Sequence, residues 1–239
     1  MDRAHPAQAR SVAGERAQHD VQSSYDRIAR EYADRIYDEL RHKPLDCELL
    51  DRFAQRVKAC GEVCDMGCGP AHVARYLHDR GASVFGLDLS PGMLDEARRL
   101  NPGIAFRHGD MMALDLPDSS LAGITASYSI VHFSTEMLPR VFREMHRVLQ
   151  PGGWLLLGFH TTPEADLSEA ERLRVMQRGV QHLDELWGQK VSMDFMFFQP
   201  QTVAKELESA GFQVEEIIER DPYPEVEVQT KRAYIFAYK

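Results

Sequence analysis

Two kinds of apolar pattern alternate along the middle of the chain. Short, nearly continuous apolar runs predict buried strands, and the segments between them repeat apolar residues at helical spacing. The predicted strands span Glu62–Met66, Ser83–Asp88, 104–109, Leu121–Ser127 and 154–159, and the predicted helices span 70–79, Pro91–Leu100 and 135–149. Regular alternation of strand and helix predicts a parallel sheet with helices on both faces.

The segments before this core follow other patterns. Residues 1–19 are polar and show no apolar period, which predicts a disordered leader. Residues 20–58 repeat apolar side chains at helical spacing and predict two amphipathic helices that form an N-terminal lid. Residues 20–239, which include this lid, predict a single domain whose core spans residues 62–160.

The alternation ends after the fifth predicted strand. Residues 161–199 predict an inserted cap, made of a charged amphipathic helix over 161–190 and the strand-like run VSMDFMFF. Residues 200–239 predict one more helix and two strands, at 212–220 and within 228–239, which pair as an antiparallel hairpin. These patterns predict an α/β fold with a doubly wound, Rossmann-like sheet of seven strands, mostly parallel.

The composition excludes some classes of function but does not identify one. Hydrophobic residues make up 44% of the chain and charged residues 27%, as in ordinary globular proteins. Acidic residues outnumber Lys and Arg by 37 to 28, so the net charge of −9 argues against a nucleic-acid partner. No apolar stretch approaches the roughly 20 residues of a membrane span. We therefore expect a cytoplasmic protein, monomeric or homodimeric, with no membrane partner.

Three of the four cysteines, Cys60, Cys64 and Cys68, stand at intervals of four residues. Zinc sites and iron–sulfur clusters use other spacings, and Cys64 lies inside an apolar run where a thiol packs as a small hydrophobic group. We therefore expect no bound metal.

The most informative stretch is VCDMGCGPAHVARYL at 63–77. It predicts a strand containing Asp65, then a turn with Gly67 and Gly69, and then a helix. Glycine at these points lets the backbone approach a ligand closely. Asp88 stands 19 residues beyond Gly69, at the end of the next predicted strand, where a carboxylate can bind ribose hydroxyls. Together these features predict a nucleoside site.

The charge around this turn indicates which nucleoside. A dinucleotide motif has a third glycine that lets the helix start hold a pyrophosphate, and His72 occupies that position here. Asp65 would oppose a pyrophosphate but suits a ligand with an ammonium group. S-adenosylmethionine meets this description, and a nicotinamide-dependent oxidoreductase is the less favoured alternative.

Four motifs in order resemble the class I S-adenosylmethionine-dependent methyltransferases, of the small-molecule branch that includes ubiquinone and menaquinone biosynthesis and natural-product tailoring. They are VCDMGCGPA, FGLDLSPGMLDEAR, FRHGDMMALDLPDSSLAGI and LQPGGWLLLGF. The resemblance covers about residues 21–160 and implies a seven-stranded sheet, a bound S-adenosylmethionine cofactor and methyl transfer.

The resemblance also implies how the cofactor's methionine and ribose are held. Asp65, Gly67 and Gly69 would line the methionine half, with Asp65 near the amino group through water or backbone. Asp88 would bind the ribose, and Ser127 would border the sulfonium.

The resemblance implies further contacts, from other residues, to the adenine and from the lid. The resemblance implies that Leu89 and Met93 flank the adenine, that Asp110 accepts from its amino group, and that Met111 packs on the ring. The lid sequence SYDRIAREYAD contributes Tyr25 and Tyr32, of which one would reach the cofactor carboxylate. Plain packing is an equally good interpretation of the two tyrosines, which lie on one helical face.

Two histidines follow neighbouring strands and are the candidate catalytic bases. His132 comes after the fourth predicted strand and His160 after the fifth, so their side chains could share one cleft. Packing at a helix start for His132 and solvation at a strand end for His160 are the alternatives. Catalysis by alignment alone is a further one, since the sulfonium carries its own activation.

The acceptor is predicted to be a small molecule, of quinone or secondary-metabolite type, attacked at O, N or C. Trp187, Phe195 and Phe197 of the cap are predicted to contact it. The sequence ASYSIVHF after the fourth strand lacks the Asn/Asp-Pro-Pro-aromatic motif of enzymes that methylate exocyclic amino groups of DNA bases and protein glutamine. A non-catalytic regulator that binds S-adenosylmethionine and lacks an acceptor pocket is the alternative from another class.

Overall fold

The computed structural model describes residues 6–163 and 167–239. Within these ranges the chain forms nine strands, β1 Glu62–Met66, β2 Ser83–Asp88, β3 Ala105–His108, β4 Leu121–Ser127, β5 Leu149–His160, β6 Val180–Leu186, β7 Gln189–Met196, β8 Gln213–Arg220 and β9 Arg232–Tyr238. The helices are α1 Pro6–Ile36, α2 Pro44–Val57, α3 His72–Asp79, α4 Pro91–Leu100, α5 Leu138–Val148, α6 Glu169–Arg178 and α7 Pro200–Ser209.

Seven strands form one sheet in the order β3-β2-β1-β4-β5-β9-β8. Neighbouring strands from β3 to β5 pair in parallel, whereas β9 runs antiparallel to both β5 and β8. The predicted doubly wound α/β fold with an antiparallel C-terminal hairpin is therefore confirmed. The order reverses between β1 and β4, which is the switch point where such sheets bind ligands.

Helices cover both faces of the sheet and bury its central strands. Phe53 of α2 is fully buried on one face, and Phe142 of α5 is fully buried on the other. Strands buried on both faces consist of almost continuous apolar residues, as in β4. A side-chain carbon at Gly123 would lie 2.6 Å from Val57, so glycine allows α2 to approach β4.

The N-terminal helix begins earlier than predicted. The prediction of a disordered leader over 1–19 is wrong from Pro6 onward, since α1 runs continuously to Ile36. Residues 7–19 are rich in Ala, Arg, Gln and Glu, whose intrinsic helix propensity does not require an apolar face. Residues 1–5 lie outside the described ranges.

The cap also differs from its prediction. The expected helix over 161–190 is confined to α6, and a two-stranded sheet of β6 and β7 follows it. Gly179 ends α6 in the left-handed conformation, with φ of 69°. Trp187 and Gly188 then take φ of 51° and 76°, and two positive angles in succession suit a tight hairpin turn. Glycine and turn geometry thus override a helical apolar spacing.

Helix α1 is fastened to both of its neighbours. The Asp26 carboxylate accepts from the Gly92 N–H at 2.8 Å and from the Ser90 hydroxyl at 2.6 Å, at the start of α4. The Ser24 hydroxyl accepts from the Ser192 N–H of β7 at 2.9 Å. The predicted lid is therefore held between the core and the β6–β7 hairpin.

None of the described helices is both long enough and apolar enough to cross a membrane.

Candidate functional site

A cleft opens at the carboxyl ends of β1, β2 and β4, with α1 as its roof. Its volume is about 800 Å³, including the open mouth. Ten of the eleven predicted cofactor residues line it: Tyr25, Tyr32, Gly67, Gly69, Asp88, Leu89, Met93, Asp110, Met111 and Ser127. Asp65 is the exception. The structure thus brings together positions that lie up to 102 residues apart in the sequence, from Tyr25 to Ser127.

The glycine turn is pinned against the sheet. The N–H groups of Gly67 and Cys68 both donate to the Leu87 carbonyl of β2, at 2.7 and 3.1 Å. Gly67 has φ of 69°, and a side-chain carbon there would lie 2.3 Å from the Ser129 Cβ. Only glycine satisfies both the backbone angle and the contact. The turn therefore has one shape, which leaves its surface open to the cleft.

Asp88 joins the glycine turn to the start of α4. One carboxylate oxygen accepts from the Gly69 N–H at 2.8 Å, and the other accepts from the Ser90 N–H at 2.8 Å. Burial raises the pKa of Asp88, and these backbone donors oppose that rise. A carboxylate oxygen can accept more than one hydrogen bond, so both oxygens remain able to accept from ligand hydroxyls.

Asp65 does not line the cleft, so its predicted place near the methionine amino group, through water or backbone, stays a prediction. Its side chain is buried, with 1% exposure, beneath the glycine turn. One oxygen accepts from the Ala74 N–H of α3 and the other from the Thr125 hydroxyl of β4, both at 3.0 Å. Burial raises the pKa of Asp65 to about 6, against the lowering effect of His72 and of these donors. Asp65 therefore positions the turn from below.

Asp110 lies at the far wall of the cleft. One of its oxygens accepts from the Met112 N–H at 2.8 Å and from the side-chain amide of Gln18 at 3.3 Å. The predicted partner of Asp110 is the adenine amino group, and Gln18 of α1 supplies an N–H donor of the same kind.

The two lid tyrosines pack edge to face, with ring centroids 5.7 Å apart. The Tyr25 hydroxyl lies 2.8 Å from His132 Nε2, and burial raises the pKa of Tyr25 well above its usual value. The Tyr32 ring also packs against Trp187, at 5.9 Å between centroids. Each ring therefore packs while it lines the cleft, and the contact of one tyrosine with the cofactor carboxylate stays a prediction.

The two candidate bases are not in one cleft. His132 lines the cleft, whereas His160 lies outside its lining and stacks on the Tyr128 ring at 4.9 Å. His160 Nδ1 lies 2.7 Å from the Thr230 hydroxyl, and burial lowers its pKa to about 3. The prediction that the two histidines share a cleft is wrong, because the Tyr128 ring, which itself lines the cleft, covers His160.

His132 has a defined tautomer. Its Nδ1 lies 2.9 Å from the Asp194 carbonyl, which can only accept, so Nδ1 carries the proton. Nε2 is then an acceptor, and the Tyr25 hydroxyl donates to it. Burial lowers the pKa of His132 to about 4, so the imidazole is neutral near pH 7.

The predicted acceptor residues of the cap stand behind the cleft wall. Phe195 packs edge-on against His132 at 4.8 Å, and Trp187 packs against Tyr32. Phe197 follows β7, and its N–H donates to the Gly179 carbonyl. None of the three lines the cleft in this structure. Their contact with an acceptor stays a prediction.

Comparisons with known proteins agree with this geometry. Residues 63–153 match the family model described as a methyltransferase domain. The chain is 36% identical over 108 residues to a malonyl-[acyl-carrier protein] O-methyltransferase of Serratia marcescens, covering 45% of this chain and 41% of that protein. It is 32% identical over 152 residues to a demethylmenaquinone methyltransferase of Beutenbergia cavernae, covering 61% and 60%.

These comparisons show a methyltransferase domain over residues 63–153 of the chain. The chain spans about half the length of the curated relatives that it matches. A solved S-adenosylmethionine-dependent methyltransferase from Methanosarcina mazei aligns with 74% of this chain and 92% of its own, at 19% identity and a TM-score of 0.64, which shows the shared fold.

Several lining residues of this cleft were not predicted. Tyr128 and Ser129 follow β4 directly, so their position after a parallel strand was an available signal. Gln18 lies in the segment predicted to be disordered, and no pattern marked it. Among the residues that the structure describes, no group of three or more His, Cys, Asp and Glu is placed to hold a metal ion.

We expect Asp65→Asn to change how stability depends on pH. The folded-state pKa of Asp65 is about 6, against 3.8 for an unperturbed Asp, so the folded protein binds the proton more tightly. That contribution is fully present below about pH 4 and is lost as the pH rises through 6. Urea titrations of the native protein and of Asp65→Asn from pH 4 to 7.5 measure this loss. Over that range the free energy of unfolding of the native protein should fall by roughly 2–3 kcal/mol relative to that of the variant. A pH-independent difference would contradict this account of the buried carboxyl.

Proposed function

We propose that this chain transfers a methyl group from S-adenosylmethionine to a small-molecule acceptor. The observation that carries the proposal is the charge of the cleft. Among the described side chains that line it, the charged ones are Asp88 and Asp110, both carboxylates. An acidic cleft favours a ligand with a sulfonium and an ammonium group and disfavours the pyrophosphate of a dinucleotide.

The residues present fit the adenosyl half of that cofactor. Asp88 would hold the ribose hydroxyls and Asp110 the adenine amino group. Leu89 and Met93 would flank the adenine, and Met111 would pack on the ring. When bound, the cofactor supplies a methyl group activated by its positive sulfur. The protein's own contribution is to orient the acceptor for in-line attack and to exclude water beneath α1.

The acceptor side of the cleft is less polar. Val21, Phe133 and the Tyr25 ring line it, and the β6–β7 hairpin supports it from behind through Phe195 and Trp187. Similar proteins are named for malonyl-acyl-carrier protein and for demethylmenaquinone. A quinone-like or secondary-metabolite acceptor agrees with this lining, and the non-catalytic regulator is disfavoured by it.

Asp88→Ala is expected to weaken S-adenosylmethionine binding at least tenfold. Each hydrogen bond from a ribose hydroxyl to the carboxylate is worth about 1.5–3 kcal/mol. Isothermal titration calorimetry gives the dissociation constant, and circular dichroism shows whether the variant is folded. Asp95→Ala removes a 78% exposed carboxylate from α4 and is the matched control, with no expected change. Unchanged affinity in folded Asp88→Ala would remove the basis for the proposed cofactor site.

Phe195→Ala is expected to raise the Michaelis constant of the acceptor by roughly tenfold, through lost apolar support of the acceptor wall. The dissociation constant of S-adenosylmethionine should stay within twofold. Steady-state kinetics with methyl-labelled cofactor, analysed by mass spectrometry, give the Michaelis constant of the acceptor. Calorimetry gives the dissociation constant of S-adenosylmethionine. Leu173→Ala, on the exposed side of α6, is the control. Equal losses in both constants would show that the hairpin has only a structural role.

A further inference from the structure

The Tyr25 hydroxyl and the His132 imidazole form a pair that cofactor binding does not explain. They belong to different segments, 107 residues apart, and both line the cleft. The hydroxyl lies 2.8 Å from Nε2, within the normal range for a hydrogen bond. This hydroxyl donates to the imidazole of a histidine, which is a base.

The pair is held from several sides. The Asp194 carbonyl of β7 accepts from His132 Nδ1 at 2.9 Å and fixes the tautomer. The Phe195 ring packs against the imidazole, and the Tyr32 ring packs against Tyr25, at 4.8 and 5.7 Å between centroids. The lone pair of Nε2 therefore points at the Tyr25 oxygen.

We propose that Tyr25 is a catalytic residue that relays the acceptor's proton to His132, and that the acceptor is an uncharged molecule attacked at a hydroxyl or amine that carries a proton. This inference rests on the proposed methyl transfer. As the acceptor atom forms its bond to the methyl carbon, the carbon–sulfur bond breaks and its electron pair stays on sulfur. The acceptor's proton passes to the Tyr25 oxygen, and the tyrosine proton passes to Nε2. The resulting imidazolium later returns its proton to solvent.

The charges of the cleft support this acceptor class. A carboxylate acceptor is already ionised and requires no base, but it requires a cationic partner. Among the lining residues that the structure describes, none is Lys or Arg, and Asp88 and Asp110 would repel a second carboxylate. Burial lowers the pKa of His132 to about 4, so the imidazole is unprotonated at neutral pH and holds a proton only weakly.

The acceptor class is tested with three probes, 2-naphthol, 1-naphthylamine and 2-naphthoate, each given methyl-labelled S-adenosylmethionine and the full chain. We expect the naphthol or the naphthylamine to be methylated at least tenfold faster than the naphthoate. Faster methylation of the carboxylate overturns the inference. No transfer to any probe by a protein that binds the cofactor in calorimetry overturns the acceptor class, whereas absence of cofactor binding overturns the proposed function itself.

The relay is tested on the methylated probe with Tyr25→Phe and His132→Gln. A proton-transfer group contributes about 100- to 10,000-fold in rate, so both variants should lose turnover by such a factor. The Michaelis constant of the probe and the dissociation constant of S-adenosylmethionine should stay within about twofold. Glutamine can still accept a hydrogen bond from Tyr25 but cannot take up its proton. If His132 had only a structural role, His132→Gln would therefore keep near-native turnover.

A solvent deuterium isotope effect on single-turnover methyl transfer gives a second readout. We expect it in the native protein and not in His132→Gln. Tyr37→Phe is the matched control, because Tyr37 donates to Asn101 at 2.6 Å outside the cleft lining, and it should turn over normally. Native turnover in Tyr25→Phe overturns the relay. A parallel loss of cofactor affinity also overturns it, by making Tyr25 a cofactor-binding residue.

Discussion

The cleft depends on one buried carboxylate. Asp65 ties the N-terminus of α3 to β4 from beneath the glycine turn, through hydrogen bonds of 3.0 Å to Ala74 and Thr125. A buried carboxyl is costly unless its oxygens are satisfied, and these two donors satisfy them. The turn above it can therefore hold Gly67 and Gly69 in left-handed backbone conformations with their surfaces bare. Asp88 completes the arrangement by fixing the same turn from the side of the cleft.

The second constraint is the placement of α1. Asp26 binds the start of α4, Ser24 binds β7, and Tyr25 binds His132. These three neighbours in sequence connect one helix to the core, to the hairpin and to the loop after β4. The roof of the cleft is consequently built from the same residues that support the proposed proton relay, so the proposed cofactor site and the proposed acceptor chemistry share one helix.

Sequence patterns were sufficient for the core because its strands are buried and its helices are amphipathic. The bounds of β1, β2, β4 and α4 agree with their predictions. The predicted cofactor residues at the carboxyl ends of β1 to β4 line one cleft because the ends of parallel strands meet at one edge of the sheet. The prediction of one long helix in the cap was wrong for a local reason. A helical apolar spacing does not show that the chain turns at Gly179 and again at Trp187–Gly188. Sequence patterns also do not predict the direction of a side chain. The burial of Asp65 and the packing of Tyr128 over His160 were therefore known only from the structure.

The most direct test of this account is a crystal structure of the chain with S-adenosylhomocysteine. We predict both ribose hydroxyls within hydrogen-bond distance of Asp88, the adenine amino group at Asp110 in place of the Gln18 amide, and the Tyr25–His132 hydrogen bond intact. An adenosyl group bound elsewhere, or one in this cleft whose ribose does not meet Asp88, would contradict it.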